Sequence, residues 1–231
     1  INLMELYPMR IIISAATNGE WMPLFQKINP KFVTPNKKFS VGFHESGVGM
    51  LASSVSLMKM VVQETPSLII QMGVAGSLDP KIPLGKVFVI KDDIVGDLGV
   101  TENKQWKDLF DLKLDAANDA PFEKKSLPNH WLNQYNLLNL PTKKGVTINT
   151  ITTDKKIMER YRTKYKAQIE SMEGAALHYI GRDLNIPFIQ IRSVSNYVGE
   201  RNKAKWEMQE AIYQLNETLL QYVDALSKME H

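Results

Sequence analysis

This sequence predicts a three-layer α/β fold in which helices cover both faces of a central mixed, mostly parallel twisted sheet, and three observations lead there. Several short apolar runs are hydrophobic throughout rather than alternating, as strands buried on both faces are. Segments with helical spacing separate them, and strands alternating with helices make a mostly parallel sheet covered on both faces. Polar and glycine-rich stretches gather where the strands end, which is where such sheets hold ligands.

Residues 10–16 (RIIISAA) form the first strand, and a helical segment begins near Glu20. Residues 40–44 give a short second strand, after which SGVGMLASS leads into a helix carrying Leu51, Val55, Met58 and Val62 at helical spacing. A third strand covers 67–72 (SLIIQM) and runs into GVAGSLDP, and 86–94 (KVFVIKDDI) supplies a fourth. Residues 97–142 carry Pro121, Pro128 and Pro141 in a polar and aromatic mix, so they read as a less regular excursion. It has one short helix around Trp131 to Leu138 and is the natural place for lid or substrate-specific elements. After it come a strand at 146–150 and a charged helix at 154–166 that packs through Ile157, Met158, Tyr161 and Tyr165. A strand at 168–172, a helix after Glu173, a strand at 188–194 and a long C-terminal helix complete the pattern. No repeat or low-complexity linker divides the chain, so residues 1–231 read as one domain.

Composition narrows the function classes. With 231 residues and 44% hydrophobic content, the chain can bury a large core. Net charge is only +3, and the lysines come in short scattered pairs without interleaved aromatics, so nucleic acid is not expected as a partner. The absence of cysteine excludes disulfides and thiolate chemistry and fits a reducing cytoplasm. His44, His130, His178 and His231 are too dispersed for a zinc motif, so neither a metal nor another cofactor is expected. No apolar run approaches the ~20 residues of a membrane span, and no signal-like segment opens the chain, so no membrane partner is expected.

The polar strand ends are Asn18 with Glu20, GVG at 47–49, GVAG at 73–76, Thr152-Thr153-Asp154, Glu170 to Glu173 in ESMEGAA, and Ser195-Asn196. Singly, each has an ordinary reading. Carboxylates at helix starts complement unpaired N–H groups, and GVG or GVAG falls short of a dinucleotide fingerprint or phosphate loop. His178 lies inside a helix and reads as packing or surface. Together, six strand ends of one polarity read as a site.

In combination, residues 10–20, GVG at 47–49, MGVAG at 72–76, SMEGAA at 171–176 and IPFIQIRSVSN at 186–196 resemble the nucleoside phosphorylase/nucleosidase family, which includes methylthioadenosine/S-adenosylhomocysteine nucleosidase. The match covers nearly the whole chain outside 97–142, and its specificity lies in the MEG-A-A and IR-x-x-S-[DN] pair. SVSNYVGERNKAKW at 193–206 and DLGV at 97–100 look closer to the futalosine hydrolase branch, which serves an alternative menaquinone pathway.

The resemblance implies a hydrolase of 5′-substituted purine nucleosides that works as a homodimer. It implies that Glu173 holds the ribose hydroxyls with Met172 against the sugar, and that Glu20 positions and deprotonates the attacking water. Val74, Gly76 and Thr150 would line the nucleoside, Asn196 would donate to the leaving purine, and Trp206 would wall the 5′ substituent with Arg201 at its tip. Glu170 is left as a capping or structural acid. Two departures matter. Adenine-specific members carry Asp where this chain has Asn196, and an amide can donate a hydrogen bond but not a proton. Phosphorylases bind phosphate with arginines near the glycine loops, whereas residues 18–24 and 47–54 contain none, so water is the expected nucleophile. The alternatives are methylthioadenosine/S-adenosylhomocysteine nucleosidase, purine nucleoside phosphorylase and a non-catalytic nucleoside-binding protein.

Overall fold

The computed structural model describes residues 9–28, 30–33 and 39–229. β1 (Met9–Ala15) pairs in parallel with β2 (Phe39–Glu45), which the short helix α2 (Pro30–Val33) precedes, on one side and β3 (Leu68–Ser77) on the other. β3 is long enough to serve several partners. Its first half lies against β1, its last two residues run antiparallel to β9 (Ile169–Ser171), and β10 (Phe188–Tyr197) follows it in parallel. β10 also pairs with β4 (Val87–Asp93), β4 with β8 (Thr142–Thr147), and β8 with β9. Strands β3, β10, β4, β8 and β9 thus close a ring, from which β1 and β2 extend as an open wing.

Three consecutive isoleucines of β1 show why helices cover both faces. Ile11 and Ile13 pack with Leu24 of α1 (Asn18–Lys27) and with Leu215, Leu219 and Val223 of α7 (Met208–Ser227). Ile12 points the other way, as strand alternation requires, and packs with Leu57 and Met60 of α3 (Met50–Glu64) and Leu177 and Ile180 of α6 (Gly174–Asp183). Each such side chain contributes roughly 1.5–3 kcal/mol when fully buried. Helix α5 (Lys155–Thr163) begins at Asp154, whose side chain accepts the N–H groups of Lys156 and Ile157, and it packs Tyr161 on Val146 and Ile148. Among the described residues, no helix is long and apolar enough to cross a membrane.

The alternation of strands and helices agrees with the sequence reading, while four local features differ. β3 does not stop before GVAG but runs through it to Ser77. Its glycines serve as gaps for side chains: a Cβ at Gly73 would lie 2.3 Å from Arg192 Nη1, and one at Gly76 3.0 Å from Val198 Cγ2. β8 occupies 142–147 rather than 146–150, because the Asp97 carboxylate takes the N–H groups of Asn149 (2.6 Å) and Thr150 (3.2 Å) and draws the chain off the ladder. α3 forms where expected, but Leu51, Val55, Met58 and Val62 face outward, with Leu51 79% and Val62 72% exposed. The buried face is Ser53, Leu57, Met60 and Val61, since apolar residues occupy more than one side of this helix.

The excursion, fourthly, is more ordered than its composition suggests. It holds a hairpin of β5 (Gly99–Glu102) and β6 (Gln105–Asp108), a short strand β7 (Leu127–Pro128), and the expected short helix as α4 (Leu132–Tyr135). Trp106 fastens the hairpin to α5 and its flank: Nε1 donates to Tyr165 Oη at 2.7 Å, and the Arg160 guanidinium lies 4.0 Å over its ring.

Candidate active site

Glu20 sits in the first turn of α1, where its side chain does two things at once. Oε2 accepts the N–H of Thr17, the helix-capping role expected of an acid there, at 3.2 Å. Oε1 reaches across to β3 and accepts the N–H of Val74 at 3.0 Å. The residue is only 9% exposed. Burial pushes its pKa above the ordinary 4.5, against the pull of Arg192 and the two N–H donors, and Glu173 adds to the upward push.

Glu173 stands immediately before α6 and is 6% exposed. Its Oε1 accepts the N–H of Gly49 at 3.0 Å, and Gly49 holds φ at 90°, a conformation that favours glycine. That bond joins the GVG stretch to ESMEGAA. Glu173 Oε2 lies 3.6 Å from Nη1 of Arg192, which is 2% exposed. An isolated buried guanidinium is costly, so its partners define the site. Nη2 donates to Gln71 Oε1 at 3.0 Å, and Nη1 fills the space left by the missing side chain of Gly73, where Glu20 Oε1 also lies. Gln190 completes the shell when its oxygen faces Arg192 Nε (3.1 Å) and its nitrogen faces His178 Nε2 (2.8 Å) and Asp93 Oδ2 (3.1 Å); the opposite amide orientation would set like groups against each other.

Beneath α6, Thr147 Oγ1 donates to Asp93 Oδ1 at 3.0 Å and accepts the Ala175 N–H at 2.8 Å, which anchors the first turn behind Glu173. Burial pushes Asp93 up to about 7. His178 is a packing residue, its ring 4.6 Å from that of Phe188 and its Nδ1 2.6 Å from Leu127 O, and burial lowers its pKa to about 4.

Asn196 owes its position to an irregularity. β10 keeps step with β3 from Phe188 opposite Ile69 to Val194 opposite Ala75, and then Asn196 stands opposite Gly76, so Ser195 is an extra, bulged residue. Ser195 Oγ donates to Asn196 Oδ1 at 2.9 Å, and Asn196 Nδ2 donates to Tyr197 O at 3.1 Å. One amide hydrogen is left without a partner among the described residues. Gly76 is beside it, since a Cβ there would lie 3.6 Å from Nδ2.

Met172, Thr150, Trp206 and Arg201 are the remaining predicted residues. Met172 is half-buried and packs on the cluster of Val146, Ile148 and Tyr161. Thr150 is exposed and bonded through its N–H to Asp97, and no hydrogen bond joins it to Glu20, Arg192 or Glu173. Trp206 follows a 3-10 turn at Lys203–Lys205 and lies outside α7, so it is not helix core. Its Nε1 donates to Glu200 O at 3.0 Å, and the exposed Arg201 places its guanidinium 5.7 Å over the ring. Glu170 does not cap α6; its Oε1 accepts the Thr152 N–H at 3.4 Å, and burial pushes its pKa up to about 7. No group of three or more histidine or acidic side chains among the described residues is arranged to hold a metal ion.

Sequence reasoning did not single out Arg192, Gln71, Gln190 or Asp93. Three of them carried a signal: glutamines and an arginine inside SLIIQM and FIQIRSV, runs that are otherwise apolar but for one serine each, must find partners indoors.

The chain is 24% identical over 171 residues to futalosine hydrolase of Thermus thermophilus, covering 73% of this chain and 74% of that protein. It is also 24% identical over 176 residues to 5′-methylthioadenosine/S-adenosylhomocysteine nucleosidase of Tolumonas auensis, covering 70% of each. The solved structure of a futalosine hydrolase mutant of Helicobacter pylori matches with a TM-score of 0.77 at 17% identity, over 94% of this chain and 99% of that one, a likeness of fold. Residues 11–228, from the first strand to the end of the last helix, match the family model of the phosphorylase superfamily, and the chain belongs to that superfamily.

Proposed function

We propose that the protein hydrolyses the N-glycosidic bond of a 5′-substituted purine nucleoside. The observation that carries this reading is the buried group of Glu20, Arg192 and Glu173, in which two carboxylates flank one guanidinium at the carboxyl ends of the strands. Glu173 offers acceptor oxygens for the ribose 2′- and 3′-hydroxyls, and its charge favours the oxocarbenium-like state in which the bond breaks. Glu20, with its raised pKa, takes a proton from water as the water oxygen bonds to C1′. The electron pair of the C1′–N bond leaves with the purine, and Asn196 supports it with a hydrogen bond to N7.

Water is favoured over phosphate because the site's guanidinium is already shared by two carboxylates, so an incoming anion meets excess negative charge. Futalosine, releasing hypoxanthine, is the preferred substrate, since the amide of Asn196 suits a 6-oxopurine and SVSNYVGERNKAKW and DLGV resemble that branch. Methylthioadenosine or S-adenosylhomocysteine is the second reading, favoured by a relative of equal identity. A homodimer belongs to the proposal: the outward stripe of Leu51, Val55, Met58 and Val62 follows directly on Gly49, which bonds Glu173, so a second copy covering that stripe would sit beside the site. A monomer of full activity would remove this part.

The reading is tested by incubating purified protein with futalosine, inosine and methylthioadenosine, with and without phosphate. Phosphate-independent release of free base is expected, fastest from futalosine. Release that requires phosphate would replace hydrolysis by phosphorolysis, and binding without release would leave a non-catalytic nucleoside-binding protein.

A further inference from the structure

We infer that Asn216 is a positioning residue for Glu20, acting through the backbone of α1; this rests on the reading of Glu20 as general base. Asn216 lies on α7 and is 2% exposed. Its Oδ1 accepts the N–H of Leu24 at 2.8 Å, and its Nδ2 donates to the carbonyl of Glu20, also at 2.8 Å. These are the donor and acceptor that successive helical turns ordinarily offer each other, so the carboxamide bridges one step of the α1 ladder. The amide nitrogen's second hydrogen goes to Ile212 O, one turn back on α7, at 2.7 Å. With an N–H facing the oxygen and two carbonyls facing the nitrogen, only one orientation of the amide satisfies its surroundings.

The location matters because α1 is weakened there. Pro23 lies inside the helix and has no N–H to give the carbonyl of Gly19, the residue before Glu20. Thr17 and Val74 hold the carboxylate end of Glu20, while Asn216 holds its peptide. Glu20 is therefore fixed at both ends by groups from separate elements. If the bridge is lost, the first turn of α1 is free to shift against β3, and the carboxylate moves relative to Val74 and Arg192. General-base catalysis is sensitive to that distance, whereas binding of the nucleoside through Glu173 is not.

The test measures steady-state kinetics for whichever of futalosine, inosine and methylthioadenosine the wild-type protein hydrolyses fastest. Asn216→Ala should lower kcat by ~10- to 100-fold and leave KM within about 3-fold. Leu219→Ala, a cavity on the same helix, should lower thermal stability while the folded protein keeps its kcat, which separates positioning from support of the fold. In a Glu20→Gln background, Asn216→Ala should cost less than about 2-fold more, because the group it positions has already gone. Asn216→Ser keeps one hydroxyl to bond the ladder; it should fall between wild type and Ala, and it carries the same comparison if the alanine variant does not fold. The inference is overturned if the folded Asn216 variants keep kcat within about 2-fold, or lose the same factor with and without Glu20. A Glu20→Gln protein as active as wild type would instead remove the base, and this inference with it, on the evidence of that single variant.

Discussion

On the floor of the site, Glu20, Arg192 and Glu173 are each held by groups from elsewhere in the fold: β3 for Glu20, beside the cap of its own helix, β3 for Arg192, and the GVG stretch for Glu173. On its proposed rim, Trp206 and Arg201 are held chiefly by residues of their own loop, and Thr150 by the half-buried carboxylate of Asp97. The floor is over-determined and buried; the proposed rim is tethered locally and more exposed. Under the proposed function, chemistry that tolerates little displacement belongs on the first, and substrate preference, which can change one side chain at a time, belongs on the second.

The largest effect that would break this contrast lies on the floor. Glu20→Gln is expected to lower kcat by ~10²-fold or more with thermal unfolding close to wild type. As the proposed general base, Glu20 would work in its ionised form, and because its pKa is raised, wild-type kcat should fall on the acid side with an apparent pKa above 4.5. A variant within a few fold of wild type would show that the buried group is structural.

Next in size is a stability effect from Glu170, a buried acid beneath the Thr152 end of the rim. Its folded-state pKa of about 7 is above the ordinary 4.5, so the stability it lends is full below pH 4.5 and is lost as pH rises through about 7. The loss is on the order of 3 kcal/mol. Glu170→Gln removes that ionisation, and its unfolding midpoint should decline less than that of wild type between pH 5 and 8. Asp93, also raised to about 7, leaves some decline in both proteins. Parallel curves would mean that Glu170 is not what titrates.

A smaller effect sharpens the substrate side. Asn196→Asp sets a carboxylate against Tyr197 O and against the N7 and O6 acceptors of a 6-oxopurine. The ratio of kcat/KM should move toward the 6-amino nucleoside by ~10-fold. A ratio that stays or moves the other way would take from Asn196 any part in reading the 6-position. The smallest change is expected for Arg201→Ala: KM for a carboxylated substrate rises a few fold, as for loss of an exposed charge, while inosine is unaffected. Equal changes for both would assign Arg201 to holding the Trp206 ring.

Much of the fold was legible because burial on both faces leaves its mark in runs such as RIIISAA, and the site's acids were legible because they stand at strand ends. What stayed hidden depended on partners distant in the chain. Thr142 to Lys144 look too polar for a strand until β4 is seen to pair with them. GVAG resembles a turn until Arg192 is seen to occupy the space over Gly73. The stripe on α3 has a helical period, yet periodicity cannot say which of two apolar faces turns inward. Arg192 stands within the IR-x-x-S-[DN] motif, yet sequence assigns it no role, because its importance comes from the carboxylates on either side of it.

The extra residue in β10 has an evolutionary consequence. A strand is a two-letter code of in and out, and Ser195 changes its parity: up to Val194 the even positions share a face, and beyond the insertion the phase is reversed. Had the same residues kept regular alternation, Asn196 would stand on the side that Arg192 and Val194 occupy; the bulge turns it to the other side. A relative whose strand lacked the extra residue would present a side chain in this direction one position earlier, so residues matched by their place in the sequence would not match in direction.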